Sequence, residues 1–367
     1  MKKYSYIIIG AGISGITLAE RLSKNTKKNI LIIEKRNHIG GNCFDTYDNN
    51  HVLIHKYGPH IFHTKHKKVW DYLSKFSKWN HFKHKVITYV NGKYLPMPVN
   101  RNTLNVFFNI KLKNEKDVIS FLEAKRDKTI KKISNSKDVV LSKYGQEIYD
   151  NFVKNYTKKQ WDLYPEELDR SVLERLPVRY DNNPYYFNDK YQGVPKYGYT
   201  KMFEKMINKP NIHILLQTDY KQVIDKFMPE TVFISSPIDE FFNYKYGKLK
   251  YRCIKFKFES YNKKSFQRNS VVNYPNTQKY TRITEMKKLT GQISQKTTIC
   301  KEYPTWQGEP SYPVPQEEQQ KIYSKYIALA QKNKKIIFIG RLGLYSYLNM
   351  DIAVKNILDM KLNYEKK

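Results

Sequence analysis

The run Gly10-Ala11-Gly12-Ile13-Ser14-Gly15 constrains this chain more than any other feature, because of what flanks it. Before it stands Tyr4-Ser5-Tyr6-Ile7-Ile8-Ile9, an apolar, β-rich stretch. After it, Ile16-Thr17-Leu18-Ala19-Glu20-Arg21-Leu22 carries apolar residues at helical spacing. A polar turn from Asn25 to Asn29 leads to a second apolar run, Ile30-Leu31-Ile32-Ile33, ending at Glu34. Three glycines at this spacing mean little alone; between a strand and a helix, with an acid closing the next strand, they specify a dinucleotide-binding βαβ unit. Gly10 allows the tight turn, Gly12 lets the backbone approach a pyrophosphate, and Gly15 lets helix and sheet pack closely. The helix start offers free N–H groups and partial positive charge to phosphates. Glu34 accepts hydrogen bonds from ribose hydroxyls and repels a 2′-phosphate, which favours FAD or NAD over NADP.

The acid continues into Glu34-Lys35-Arg36-Asn37-His38-Ile39-Gly40-Gly41-Asn42. This extension resembles the glutathione-reductase-like FAD proteins, in which such a segment follows the flavin diphosphate. FAD is therefore the expected cofactor.

Further along, residues 102–160 carry apolar residues at helix-like intervals, with no proline between Pro98 and Pro165, which suits a small helical domain. Residues 244–303 change texture: Tyr251-Arg252-Cys253-Ile254-Lys255-Phe256-Lys257-Phe258 alternates, and Ser270-Val271-Val272-Asn273-Tyr274 is β-branched, so antiparallel strands are expected. Ile212–Leu216, Thr231–Ser235 and Lys335–Gly340 look like further buried strands of the first domain. The expected fold class is α/β: a Rossmann-like FAD-binding domain, discontinuous over 1–80, 192–240 and 316–367, joined to a helical domain over 100–165 and an antiparallel sheet domain over 81–99, 166–191 and 241–315.

Composition removes several other classes. No apolar run approaches the ~20 residues of a membrane span. Lys2 and Lys3 imitate a secretory leader, but the short apolar run enters the glycine motif directly, so the start of the chain is expected to belong to the fold. Cys43, Cys253 and Cys300 are odd in number and far apart, which fits neither a disulfide framework nor a zinc site and points to a reducing cytoplasm. His60-x-x-His63 lacks a companion carboxylate motif, so no metal is expected. The formal charge of +32 invites an anionic partner, yet the lysines are dispersed rather than gathered in one stripe. The expectation is a solvated basic surface and no nucleic acid.

A finer resemblance emerges downstream. His55-Lys56-Tyr57-Gly58-Pro59-His60-Ile61-Phe62-His63-Thr64, Asn155-Tyr156-Thr157-Lys158-Lys159-Gln160-Trp161, Arg175-Leu176-Pro177-Val178-Arg179, Tyr191-Gln192-Gly193, Tyr280-Thr281-Arg282, Glu302-Tyr303-Pro304, Tyr312-Pro313-Val314 and Gly340-Arg341-Leu342 occur in this order. Together they resemble the bacterial type of the UDP-galactopyranose mutase family, over nearly the whole chain. The resemblance implies an isomerase that interconverts UDP-galactopyranose and UDP-galactofuranose on reduced FAD, with no net redox change, and so supplies galactofuranose for glycan synthesis. Flavin N5 attacks the anomeric carbon, UDP departs, the covalent flavin–sugar adduct opens and recloses on another hydroxyl, and UDP returns. A cytoplasmic homodimer is also implied.

By the same resemblance, Arg175, Arg282 and His63 are the catalytic candidates, Arg175 on a loop that closes over substrate. Arginine suits a departing diphosphate because its fork stays charged and binds oxygens bidentately. Phe152 and Tyr156 match residues holding the uracil; Tyr186, Tyr312 and Tyr347 match tyrosines bonding the diphosphate; His84, Thr157, Trp161, Phe187, Arg252 and Asn273 complete the substrate set. Gly10, Gly12, Ser14, Gly15, Glu34, Lys35, Gly41, Asn42, His60, Ile61, Arg341, Asn349 and Met350 would hold the cofactor. Two positions depart from the family: Asn349 stands where Asp is usual, and Tyr197-Gly198 replaces Gly-Gly. A flavin oxidase or dehydrogenase would have no need of the Arg/Tyr set, whereas a related nucleotide sugar such as UDP-N-acetylgalactosamine would use it equally.

Overall fold

A computed structural model describes residues 3–174 and 176–362. Its centre is a five-stranded parallel sheet in the order Ile212–Leu215, Ile30–Ile33, Tyr6–Ile9, Thr231–Ile234, Ile336–Phe338. Tyr6 sits opposite both Ile30 and Thr231, so the glycine turn leaves from the middle of the sheet. The central run has to be apolar on both faces, because helices cover one side and a second apolar cluster the other. Ile7, Ile8 and Ile9 are buried accordingly, each worth roughly 2 kcal/mol of transfer from water. The helix Ile13–Asn25 lies on this sheet through Ile16, Leu18, Ala19 and Leu22. Gly15 makes that packing possible: a Cβ there would lie 2.1 Å from the Gly10 carbonyl oxygen.

The helical segment is divided into Arg101–Phe108, Glu115–Lys125 and Ser136–Tyr144. Each begins on an asparagine, Asn100, Asn114 or Asn135, whose side chain accepts a backbone N–H of the first turn. Such caps are worth about 1 kcal/mol each. Left-handed Asn109 ends the first helix. Beyond Gly145 the chain winds into a π-turn over Tyr149–Lys154 and returns to α-helix over Asn155–Trp161. Wide turns of this kind re-aim side chains and recur at functional sites; this one carries Phe152 and leads into Tyr156.

The third layer is a seven-stranded sheet in the order Tyr312–Pro313, Tyr251–Tyr261, Thr297–Thr305, Arg282–Glu285, Val271–Asn273, Val86–Val90, Lys93–Met97. It is not wholly antiparallel: Val271–Asn273 runs parallel to Val86–Val90. The physical reason is a separate hairpin, Val86–Val90 with Lys93–Met97, turned at Asn91-Gly92 with φ +49° and +78°. That hairpin arrives from a distant part of the chain, so no short turn dictates its direction. No helix among the described residues is long and apolar enough to cross a membrane. Tyr197 is exposed, while Gly198, at φ +88°, makes the turn; there a Cβ would meet Asp45, which accepts the N–H groups of Tyr199 and Thr200.

Candidate active site: two joined clefts

The parallel strands end at a cleft of about 1250 Å³. Its floor is glycine. Gly10 holds φ +100°, and a Cβ on it would lie 2.2 Å from Ser235 Oγ. The loop through Gly40 and Gly41 runs beside the first one, bridged at Gly12 and Gly40, and a Cβ on Gly41 would come within 2.9 Å of Gly12 Cα. Glu34 is locked at the end of its strand by the N–H groups of Ala11 (2.8 Å) and Arg36 (2.9 Å). Ser14, Asn42, Arg341 and Met350 line the walls, and Lys35 stands at the rim, 3.3 Å from Glu309. Gly12 starts the helix with no side-chain cap, and Ser236 Oγ is buried without a partner among the described residues. A bare glycine cradle, an open helix start, a fixed carboxylate and an unpaired hydroxyl fit a dinucleotide such as FAD. Burial pushes the Cys43 thiol up to about 12, which makes it a packing residue and not a nucleophile.

His60, Arg341 and Met350 also line a second cleft, of about 2240 Å³, so the two are continuous. Arg282 enters from its strand with Nε donating to Glu302 Oε2 at 2.9 Å. Burial opposes its charge, yet the Glu302 carboxylate holds the guanidinium well above the usual range. Tyr312 and Tyr347 stack at 5.3 Å, with Trp161 set at an angle to both. The Arg341 guanidinium lies over both tyrosine rings at 5.2 and 5.1 Å, and its Nη2 donates to the Leu348 carbonyl. Phe152, Tyr156 and Thr157 line the side facing the helical layer; Ile61 and Asn349, expected at the cofactor, line this cleft and not the first. Four buried polar atoms here have no partner among the described residues: His84 Nδ1, Gln160 Oε1, Asn273 Oδ1 and Glu302 Oε1. Each such atom costs about 1–3 kcal/mol unless something bonds to it, so their convergence marks a polar-ligand site.

The strap 178–190 brings Tyr186, Phe187 and Asp189 to the same cleft. Buried Arg179 pins it through the Tyr185 carbonyl and Asn188, both at 2.7 Å. Phe187 stacks on His63 at 3.6 Å, and His63 Nδ1 lies 2.5 Å from Asp189 Oδ2. His60 donates from Nδ1 to the Gly58 carbonyl, because a carbonyl can only accept. Burial lowers His55 to about 4 and His84 to about 3, so both stay neutral in the folded protein at pH 7. Unfolded, they titrate near 6.5, so their contribution to stability is present above pH 6.5 and is lost as pH falls toward the folded values. At pH 5 the loss is about 2 kcal/mol for each. Thermal melts at pH 7 and pH 5 are expected to differ less in His84→Asn than in the wild type; an unchanged difference would contradict the burial argument.

Two expected site residues need separate mention. Arg175 lies outside the described residues. Arg252, expected at the substrate, lines neither cleft: it is buried, its Nε and Nη2 donate to the carbonyls of Gln160 and Lys159, and its guanidinium lies over Trp306 at 4.4 Å. It closes the end of the helix that carries Trp161 and so acts on the site from behind. Gly15 likewise serves packing rather than the cleft. Sequence reasoning assigned no role to Gln160, Asp189 or Glu302. Glu302 carried a signal, the one acid in the strand-forming run Thr297–Thr305, where Lys301 is the only other charged residue.

A family profile described as UDP-galactopyranose mutase matches residues 151–347, and one described as an NAD(P)-binding Rossmann-like domain matches residues 8–76. A protein of Klebsiella pneumoniae named a probable UDP-galactopyranose mutase is 38% identical over 98% of this chain and 94% of its own. A dTDP-fucopyranose mutase of Escherichia coli is 34% identical over 98% of both chains. A UDP-galactopyranose mutase of Mycoplasma pneumoniae is 32% identical over 97% of this chain and 95% of its own. The fold matches a crystal structure of reduced UDP-galactopyranose mutase with a TM-score of 0.75 at 14% identity, over 98% of this chain and 93% of that one. A glycine-cradled dinucleotide cleft, an arginine–tyrosine cleft opening from it and full-length relatedness above 30% lead to one assignment: the chain belongs to the UDP-galactopyranose mutase family.

Proposed function

We propose that this chain interconverts UDP-galactopyranose and UDP-galactofuranose, with FAD in the first cleft and the nucleotide sugar in the second. The observation that carries the reading is the continuity of the two clefts at His60, Arg341 and Met350, beside Arg282 and its tyrosines. Gly10, Gly12, Ser14, Glu34, Gly41 and Asn42 would hold the cofactor. When bound and reduced, FAD supplies the nucleophilic nitrogen and the reaction has no net redox change.

The protein's part is orientation and charge. Leaving of UDP concentrates negative charge on the β-phosphate. Arg282 meets that charge with a cation whose position Glu302 has already set, so little reorganisation is needed. Only its Nε is committed to Glu302, which leaves the Nη groups for oxygens. Tyr186, Tyr312 and Tyr347 add neutral donors. Phe152 and Tyr156 offer aromatic faces to the uracil. His84, held neutral, offers hydrogen bonding without adding charge. The aromatic walls exclude water, so that each polar contact counts for more than in solvent.

A thymidine-diphosphate sugar is the second reading, favoured by the 34% identical dTDP-fucopyranose mutase. UDP and dTDP differ by one methyl and one hydroxyl, enough for about tenfold discrimination. Calorimetric titration is expected to give UDP the lower Kd by that factor. A lower Kd for dTDP would transfer the proposal to the thymidine sugar.

A further inference from the structure

Most lysines among the described residues are exposed, but Lys159 is only partly so, and among those residues no carboxylate pairs with it. Its ammonium donates to three main-chain carbonyls: Tyr274, Gln278 at 2.9 Å and Tyr280 at 3.2 Å. An ammonium has three N–H groups, so these carbonyls saturate it. All three belong to the connection between Val271–Asn273 and Arg282–Glu285, and Asn273 and Arg282 face each other where those strands pair. The lysine itself sits in the helix Asn155–Trp161, three residues after Tyr156 and two before Trp161. Further bonds hold the same connection to this helix and to the π-turn before it: Asn155 Nδ2 to Asn276 Oδ1, and Asn276 Nδ2 to the Asn151 carbonyl, both at 3.1 Å. Arg252 fastens the other side of the helix through the carbonyls of Lys159 and Gln160.

We propose that Lys159 is a positioning residue for the nucleotide: it clamps the hairpin bearing Asn273 and Arg282 to the helix bearing Tyr156 and Trp161, and so sets the width of the cleft between them. The inference rests on the nucleotide-sugar reading above. Lys159 does not line the cleft. Its removal therefore leaves every cleft side chain in the sequence but frees one wall from the other. The geometry is particular to an ammonium, because three carbonyls converging on one nitrogen do not match a planar guanidinium fork.

The test is titration of UDP into the FAD-loaded protein, with steady-state kinetics on UDP-galactofuranose under dithionite. For Lys159→Met, Kd for UDP and KM are expected to rise together by about tenfold or more, with kcat held within about threefold, the scale of hydrogen bonds to a charged group. Lys159→Gln, which keeps a shorter donor, is expected to fall between wild type and Lys159→Met, and it carries the test if the Met variant does not fold. An unchanged Kd in both variants overturns the clamp. A fall in kcat with Kd unchanged also overturns it, because the defect then lies in the chemical step. Wild-type protein that binds no UDP overturns the nucleotide-sugar reading itself, an outcome distinct from wild-type binding that the variants retain.

Discussion

Arg282→Ala is expected to lower kcat/KM by about 10³-fold and to destabilise the protein by about 3–5 kcal/mol. The two effects have different causes. Activity falls because a cation lining the second cleft beside its unpartnered polar atoms is gone, and a single preorganised donor is worth about 10²–10³ in rate even when neutral. Stability falls because Glu302, with its side chain only 2% exposed, loses the one side-chain partner it has among the described residues. Burial already raises the Glu302 carboxyl above the ordinary range, with Arg282 opposing that rise. The double variant Arg282→Ala/Glu302→Gln separates the two. It is expected to recover much of the melting temperature and none of the activity. Recovery of activity in the double variant would show that Arg282 serves the fold and not the reaction.

Gly12→Val is expected to abolish retention of FAD while leaving the melting temperature of the apoprotein within a few degrees of wild-type apoprotein. Gly12 has φ −78° and ψ 179°, a conformation any residue adopts, so valine costs no backbone strain. Among the described residues a Cβ there meets Gly41 Cα alone within 4 Å, at 3.9 Å. The added methyls therefore enter the cleft, where the pyrophosphate of a dinucleotide needs the backbone close. Gly15→Ala is the contrasting control. Its Cβ would lie 2.1 Å from the Gly10 carbonyl and 3.1 Å from Ile8, so it should lower stability by several kcal/mol as an overpacked contact. Bound flavin per chain, read by absorbance after gel filtration, checks both. Full flavin content in Gly12→Val would remove the first cleft as the cofactor site.

The parts of this protein legible from sequence are those whose information is local. The turn Gly10–Gly15, the strand run Ile30–Ile33 and the acid Glu34 lie within one βαβ unit, and each residue's role follows from its neighbours. The strands at Ile212, Thr231 and Ile336 declared themselves by apolar runs, and parallel order follows from burial on both faces. What stayed hidden depends on pairings between distant segments. The bond from Arg282 to Glu302 exists because their strands lie in register, and no spacing in the sequence encodes that. Arg252 has the look of a substrate arginine, but its strand aims it at the end of a helix. Gln160 and Asp189 owe their places in the site to a buried unpaired oxygen and a histidine partner that only the fold creates. The parallel pairing at Val271 was also out of reach, since alternation predicts a strand but not its direction.

The most direct test of the central claim is turnover of UDP-galactofuranose to UDP-galactopyranose by the purified FAD-loaded protein, read by chromatography with and without dithionite. The account predicts product in the reduced sample, none in the oxidised one, and loss of turnover in Arg282→Ala. Bound, reducible FAD without turnover of this sugar would contradict it.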